Sequence, residues 1–302
     1  MKPAVTVVVP TKDRPELLRR AVEAVLAQDY GADVHCLVVY DGATPDRTLE
    51  RLKGNRRVTV TSNTRVAGLA GARNTGILLA DTELVAFCDD DDAWLPGKLS
   101  AQVELLTADP TAVLATCGIR IEYGDRTVDR SLASVRVELD DLLRKRLPEL
   151  HPSSFLFRRA KLVELGLVDE KLPGSYAEDY ELLLRAARAG SIVNVPDVHL
   201  LVRWHRASHF MRRWDTIADA LQYLLASNPQ FASVRSGEAR ITGQIAFARA
   251  AQGQRREAVR WVRRTVARNP REARAYLALA VASGAVRPDT VLSRLHRRGR
   301  SI

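Results

Sequence analysis

The feature that most restricts what this chain can fold into is the alternation, across residues 1–110, of short wholly apolar runs with amphipathic stripes. Ala4 to Val9 is a continuous apolar run closed by Pro10, and Glu16 to Gln28 follows with Leu17, Leu18, Ala21, Val22, Val25 and Leu26 on one helical stripe. Val34 to Tyr40 reads as a second buried strand, Thr44 to Lys53 as a short helix and Arg57 to Thr61 as a third strand. Gly68 to Leu79 reads as a helix opening in a glycine-rich turn, and Leu84 to Cys88 as a fourth strand. Strands that are apolar throughout and separated by helices belong to an α/β fold with a mainly parallel sheet covered on both faces. In such sheets functional groups gather at the carboxyl ends of the strands.

Those ends are polar here. The first strand runs into Pro10-Thr11-Lys12-Asp13-Arg14, the second into Asp41-Gly42, and the fourth into Asp89-Asp90-Asp91-Asp92. Four adjacent carboxylates at the end of a buried strand repel one another and lose hydration, so they need a cation or a strong set of donors. An extended backbone would put Asp89 and Asp91 on one side and Asp90 and Asp92 on the other. Two carboxylates on one side suit a hard divalent ion that keeps places for water and phosphate. An isolated acidic run serves equally well as a solvated turn before the helix that begins near Pro96. It lacks the glycine and glutamate of an EF-hand calcium loop.

Charge divides the chain in two. The whole carries +10, but from Arg203 to Ile302 there are 20 Arg, no Lys and 6 acidic residues, a net of +14, which leaves −4 on residues 1–202. An acidic body followed by a basic segment indicates two units with different partners. Cys36, Cys88 and Cys117 are odd in number, far apart and set in apolar runs, and read as buried thiols of a cytoplasmic protein. Met1-Lys2-Pro3 enters a strand without a signal-peptide core. The longest uncharged apolar stretch, Ala275 to Val286, falls short of the about 20 residues a membrane span requires. A soluble protein is expected, with its basic surface free to rest on anionic lipid at the inner face of a membrane.

In order along the chain, Val5-Thr6-Val7-Val8-Val9-Pro10-Thr11 with Arg14, Asp41-Gly42, Gly71-Ala72-Arg73-Asn74-Thr75-Gly76 and Phe87-Cys88-Asp89-Asp90-Asp91-Asp92-Ala93-Trp94-Leu95-Pro96 resemble glycosyltransferase family 2. Ser153-Ser154-Phe155-Leu156-Phe157-Arg158-Arg159, Gly166 to Asp169 and Glu178-Asp179 continue the family order, so the resemblance spans about residues 3–206. It implies a GT-A fold, a single mixed sheet flanked by helices, and a nucleotide-diphospho-sugar transferase. It also implies Mn²⁺ or Mg²⁺ at an Asp-x-Asp motif and inversion at the anomeric carbon.

By the same resemblance, Asp41 stands where the nucleobase is bound, with Pro10, Thr11 and Arg14 beside it. A carboxylate there accepts the imide N–H of uracil or thymine, which favours UDP or dTDP over GDP. Arg73 matches an arginine near base and phosphate, and a guanidinium grips phosphate oxygens bidentately; a salt bridge to the acidic run is its structural alternative. Asp89, with Asp90 next to it, is expected near the ribose, Asp91 as the metal ligand, and His205 as a further member of the metal site. Asp179, at the start of a helix whose dipole favours an ionised acid, matches the catalytic base, with Glu178 as its supporting partner. His151 and His209 read as structural or acceptor-side groups. Tyr40, Ala43 and Lys12-Asp13 depart from the family pattern around the nucleotide pocket and leave the donor open. Residues 120–146 carry no family motif and read as a lid or a strand pair.

The chain therefore divides into a GT-A domain over residues 1–210 and a basic helical domain over 211–302. Thr216 to Ser227, Glu238 to Gln252, Gln254 to Arg268 and Arg271 to Ser283 read as helices, with Gly253, Ala258 and Pro270 at tetratricopeptide spacing. The face of Arg255, Arg256, Arg260, Arg263 and Arg264 is a solvated face, a docking surface for anionic lipid, or a self-association surface. Three functions follow: sugar transfer to a hydroxyl of a cell-envelope glycan, lipid-linked saccharide or small natural product; glycosylation of Ser or Cys in a peptide; and non-catalytic nucleotide or nucleic-acid binding. The basic segment lacks interleaved aromatics, which argues against nucleic acid.

Overall fold

A computed structural model describes residues 2–52, 56–124, 126–203 and 213–296 of the 302-residue chain. It separates into two compact units, one of Met1–Leu142, Leu147–Glu170 and Glu178–Arg206, the other of Leu143–Arg146, Lys171–Ala177 and Ala207–Ile302.

The first unit is built on one mixed sheet. In chain order its elements are β1 (Val5–Thr11), α1 (Pro15–Leu26), β2 (Val34–Tyr40), β3 (Arg57–Ser62), α2 (Leu69–Leu79), β4 (Leu84–Phe87) and β5 (Ala93–Trp94). There follow α3 (Lys98–Ala108), β6 (Ala112–Tyr123), β7 (Arg126–Arg130), β8 (Arg136–Val137), α4 (Leu139–Arg144), β9 (Leu156–Arg158), α5 (Arg159–Glu164), α6 (Glu178–Ala189) and β10 (Ser191–Arg203). The strand order is β3-β2-β1-β4-β9-β6-β10-β5, with β7 beside β6 and β8 beside β10. β3, β2, β1 and β4 run parallel, as do β6 and β10, while β9 enters antiparallel between β4 and β6.

Every residue of β1 and β2 is buried, as the unbroken apolar runs require of strands covered on both faces. Residues 120–130 form the expected strand pair, an antiparallel hairpin of β6 and β7. The helix expected over Thr44 to Lys53 is only a 3₁₀ turn, Arg47–Arg51. Pro45 holds Thr44 out of helical geometry, and the Asp46 carboxylate caps the turn by accepting the Thr48 N–H at 2.9 Å.

Two glycines fix the depth at which α2 packs. A Cβ on Gly76 would lie 2.3 Å from Val8 Cγ1 of β1, and one on Gly71 only 1.9 Å from the Val66 carbonyl oxygen. Without side chains at these positions α2 seats directly on the sheet and carries Arg73, between them, to the carboxyl end of β4.

The second unit is helical: α7 (Trp214–Ser227), α8 (Arg235–Ala251), α9 (Arg255–Arg268), α10 (Ala273–Ala282) and α11 (Pro288–His296). Gly253 turns the chain between α8 and α9 at φ +77°, where a side chain would be strained. Ala258 is fully buried, as the repeat spacing anticipates, and Thr265, which stands where such repeats carry alanine, donates to the Trp261 carbonyl and to Thr242 Oγ1. Buried Glu238 accepts from Arg264 and Arg268, so part of the arginine excess is neutralised inside the unit. Arg255, Arg256, Arg260 and Arg263 are exposed. Among the described residues no helix is long and apolar enough to cross a membrane.

Candidate active site

β4 ends at Phe87, and the four aspartates after it do not continue the pleat. The Asp92 N–H donates to the Asp89 carbonyl at 3.2 Å and closes a turn. The alternation expected of an extended run is thereby replaced. Asp90 and Asp91, at the corner, both turn to Arg14, whose Nη1 lies 3.2 Å from Asp90 Oδ1 and 2.8 Å from Asp91 Oδ2. Thr11 Oγ1 donates to Asp90 Oδ2 at 2.7 Å. Asp89 and Asp92 share the other side: Ser153 Oγ accepts the Asp89 N–H at 2.9 Å and donates to Asp92 Oδ2 at 2.6 Å. His151 Nδ1 stands 3.4 Å from the same Asp92 oxygen and accepts the Ser153 N–H at 3.4 Å.

A buried pedestal holds this arrangement. Trp94 Nε1 donates to the Ser153 carbonyl at 3.0 Å, and Gln102 Nε2 to those of Ser154 and Ala115 at 2.6 and 3.1 Å. Lys98, fully buried, donates to Gln102 Oε1 at 2.8 Å, with its ammonium 3.9 Å from the centre of the Trp94 ring.

Arg73 joins the acidic turn to the start of α6. Its guanidinium donates to Asp89 Oδ1 at 2.6 Å and to Glu178 Oε1, and lies 5.3 Å from the centre of the Phe87 ring. It is 1% exposed, and its Nε–H has no partner among the described residues. Burial works against the charge of Arg73, yet Asp89 and Glu178 more than offset it and raise its pKa. Glu178, itself buried, is raised by burial and by Asp179, against the pull of Arg73. Glu178 is thus engaged by Arg73, while Asp179 is half-buried and feels both Arg73 and His151.

Asp41 follows β2. Its N–H donates to the Thr11 carbonyl at 2.9 Å, and its carboxylate accepts from the Gly68 N–H at 3.0 Å and Asn63 Nδ2 at 2.8 Å, anchoring the loop before α2. Pro10 is buried in β1. A cavity of about 320 Å³ beside them is lined by Thr11, Asp13, Arg14, Leu18, Tyr40 and Thr44, among others. Asp13 takes φ +55°, a conformation that aspartate tolerates better than most residues. His205 lies outside the described residues.

The charges at the centre do not balance. Asp89 to Asp92, Glu178 and Asp179 face only Arg14 and Arg73 as permanent cations. Burial pushes Asp90 up to about 6 even with Thr11 donating to it. Burial and Asp89 raise Asp91, and burial with Asp89 and Asp91 raises Asp92 well above the usual carboxylate range. Burial lowers the pKa of His151, which favours the neutral imidazole. Asp89, Asp92 and His151 offer ligand atoms all within 4.8 Å of one another. Two carboxylates and an imidazole amid surplus negative charge fit a divalent cation.

The sequence model of glycosyl transferase family 2 matches residues 6–166, just over half of the chain. The chain belongs to this family. The amylovoran biosynthesis glycosyltransferase AmsE of Erwinia amylovora is 28% identical over 198 residues, which cover 64% of this chain and 72% of that one. Two other curated relatives are matched over only 36% and 40% of their own length. Among solved structures, residues 1–349 of S. aureus TarS in complex with UDP-GlcNAc align with a TM-score of 0.63 at 18% identity, over 99% of this chain and 93% of that one. The mannosyltransferase PcManGT of Pyrobaculum calidifontis, in complex with GDP-Man and Mn²⁺, aligns with a TM-score of 0.58 at 20% identity, over 95% and 82%. At such identities the likeness establishes the fold, GT-A, and no more. In this glycosyltransferase the motifs at 10–14, 71–76, 89–92 and 178–179, distant in sequence, meet at the carboxyl end of the sheet. His151, Ser153 and Asp92 join them, and only the unusual His-Pro-Ser-Ser before the buried run at 155–157 marked that segment in the sequence.

Proposed function

We propose that this glycosyltransferase moves a sugar from a UDP- or dTDP-linked donor to a hydroxyl of a cell-envelope glycan or lipid-linked saccharide, with inversion and with a divalent ion. Donor chemistry is assigned to residues 1–210 and contact with the acceptor's carrier to residues 211–302. The observation that carries this reading is the buried Arg73 bridge, which holds the acidic turn and the start of α6 to one centre.

In this reading Asp41, with Pro10 and Thr11, receives the base. Arg73 offers its unpartnered Nε–H to the diphosphate, and Arg14, already between Asp90 and Asp91, meets the same anion from the β1 side. The acceptor hydroxyl attacks the anomeric carbon from the face opposite the diphosphate. The bond from that carbon to the phosphate oxygen breaks as the new glycosidic bond forms, and the hydroxyl proton passes to the Asp179 carboxylate. Glu178, by holding Arg73, keeps its own charge from the base. A divalent ion at the acidic turn would neutralise charge developing on the departing diphosphate.

A thermal-shift screen of UDP-, dTDP- and GDP-sugars with and without Mn²⁺ tests the reading. Stabilisation that requires metal and discriminates among bases is the expected result; no response to any donor under either condition refutes it.

A further inference from the structure

The motif resemblance points to Asp91 as the metal ligand, but the geometry of the turn directs Asp91 elsewhere. Its Oδ2 is paired with Arg14 at 2.8 Å, at the corner of the turn. The side chains whose ligand atoms converge are Asp89, Asp92 and His151. Three elements build that convergence. The turn brings Asp92 back beside Asp89 through the bond between their backbones. The 3₁₀ turn Pro152–Ser154 presents His151 at its start. Ser153 ties the two segments together by bonding to both aspartates.

We propose that the divalent ion of this enzyme is held by Asp89, Asp92 and His151, with Asp91 acting through Arg14, and that the site takes Mn²⁺ in preference to Mg²⁺. The proposal rests on the metal-dependent reading above and names the residues of that site. Its selectivity follows from the donor set. Mg²⁺ demands oxygen ligands in near-ideal octahedral geometry and gives up water reluctantly, whereas this site offers an imidazole and a carboxylate, Asp92, that is 2% exposed. Asp92 also keeps its bond to Ser153, which orients the carboxylate as outer hydrogen bonds orient metal ligands in general.

The test uses the full chain, stripped of metal, and needs no sugar donor. Mn²⁺ is titrated in and the free ion is followed by EPR, with and without UDP; pulsed EPR of the bound ion then reports nitrogen ligation. The wild type should bind one Mn²⁺ with a ¹⁴N modulation, and Mg²⁺ should displace it only in at least about tenfold excess. His151→Asn should lose the modulation and weaken Mn²⁺ by about tenfold or more, and Asp92→Asn should weaken it similarly. Asp91→Asn should stay within about threefold of wild type. The modulation in the wild-type spectrum tests the imidazole even where a variant fails to fold. Bound Mn²⁺ without ¹⁴N modulation, or a collapse confined to Asp91→Asn, overturns the assignment and leaves metal dependence standing. No Mn²⁺ bound by the wild type, even with UDP, removes the metal-dependent reading itself.

Discussion

Lys98 offers a sharp test of how the pedestal under the site is held. Its ammonium is fully buried, between Gln102 Oε1 and the face of Trp94, and burial lowers its pKa to about 8 from 10.5, against smaller opposing effects of Cys117 and Cys88. The folded pKa lies below the unfolded one, so below pH 8 both states are protonated and the cost of burying the charge is fully present. Between about pH 8 and 10.5 the unfolded chain binds more protons than the folded one, and stability from this group rises with pH. At about 1.4 kcal/mol per pKa unit the gain across that window is about 3 kcal/mol. Cys36, Cys88 and Tyr30, raised by burial, act in the opposite direction at alkaline pH, so the quantity to measure is a difference. Urea unfolding of wild type and Lys98→Met, followed by tryptophan fluorescence from pH 7 to 10.5, should show the variant's relative stability falling by about 3 kcal/mol as pH rises. Loss of the bond to Gln102, about 1 kcal/mol, shifts the whole curve without changing its slope. A difference independent of pH would refute the argument that Lys98 is charged and buried at neutral pH.

Other perturbations read different parts of the molecule. Asp179→Asn should cut transfer by more than about a hundredfold while donor affinity, measured calorimetrically with UDP and Mn²⁺, stays within about threefold, since general-base catalysis contributes roughly that much or more. Gly76→Ala, whose Cβ would meet Val8 Cγ1 at 2.3 Å, should destabilise the first unit by about 1–3 kcal/mol, and Val8→Ala in the same chain should recover part of that; additive losses would show that the two positions do not touch. Arg73→Met should cost about 3–5 kcal/mol by leaving Asp89 and Glu178 unpaired in a buried site, and adding Glu178→Gln should return some of it. A double variant no more stable than Arg73→Met would contradict the pairing.

How much of this was legible in the sequence differs by element. β1 and β2 were readable because both their faces are buried, so an unbroken apolar run has no competing interpretation. The two-residue strands β5 and β8 carry no periodicity and exist only because β10 pairs with them. α11 escaped notice because its pattern is short and ends in the arginine-rich terminus. In the site, single positions were readable where a motif fixed them, as at Arg73, Asp89 and Asp179. The aspartate run was misread as a pleat because local spacing cannot report that Arg14, 76 and 77 residues earlier, pulls Asp90 and Asp91 round a corner. His151 gained its place only through Asp92 and Ser153, one of them 59 positions away in the chain.

The charge division of the sequence acquires a location in the structure. Residues 1–202 carry a net −4, and the centre itself, with six carboxylates against two guanidiniums, carries the same −4. The rest of that body is therefore close to neutral, and its acidity is concentrated where an anionic donor has to bind. A nucleotide-diphospho-sugar brings about two further negative charges, and in a partly buried site such repulsion is not screened by salt as it would be at the surface. An ion arriving with the donor leaves the local charge unchanged, whereas donor alone would deepen it. Affinity for UDP should therefore depend steeply on Mn²⁺ and only weakly on ionic strength. Tight metal-free binding of UDP, abolished by about 0.3 M salt, would mean that the exposed arginines rather than this centre receive the nucleotide.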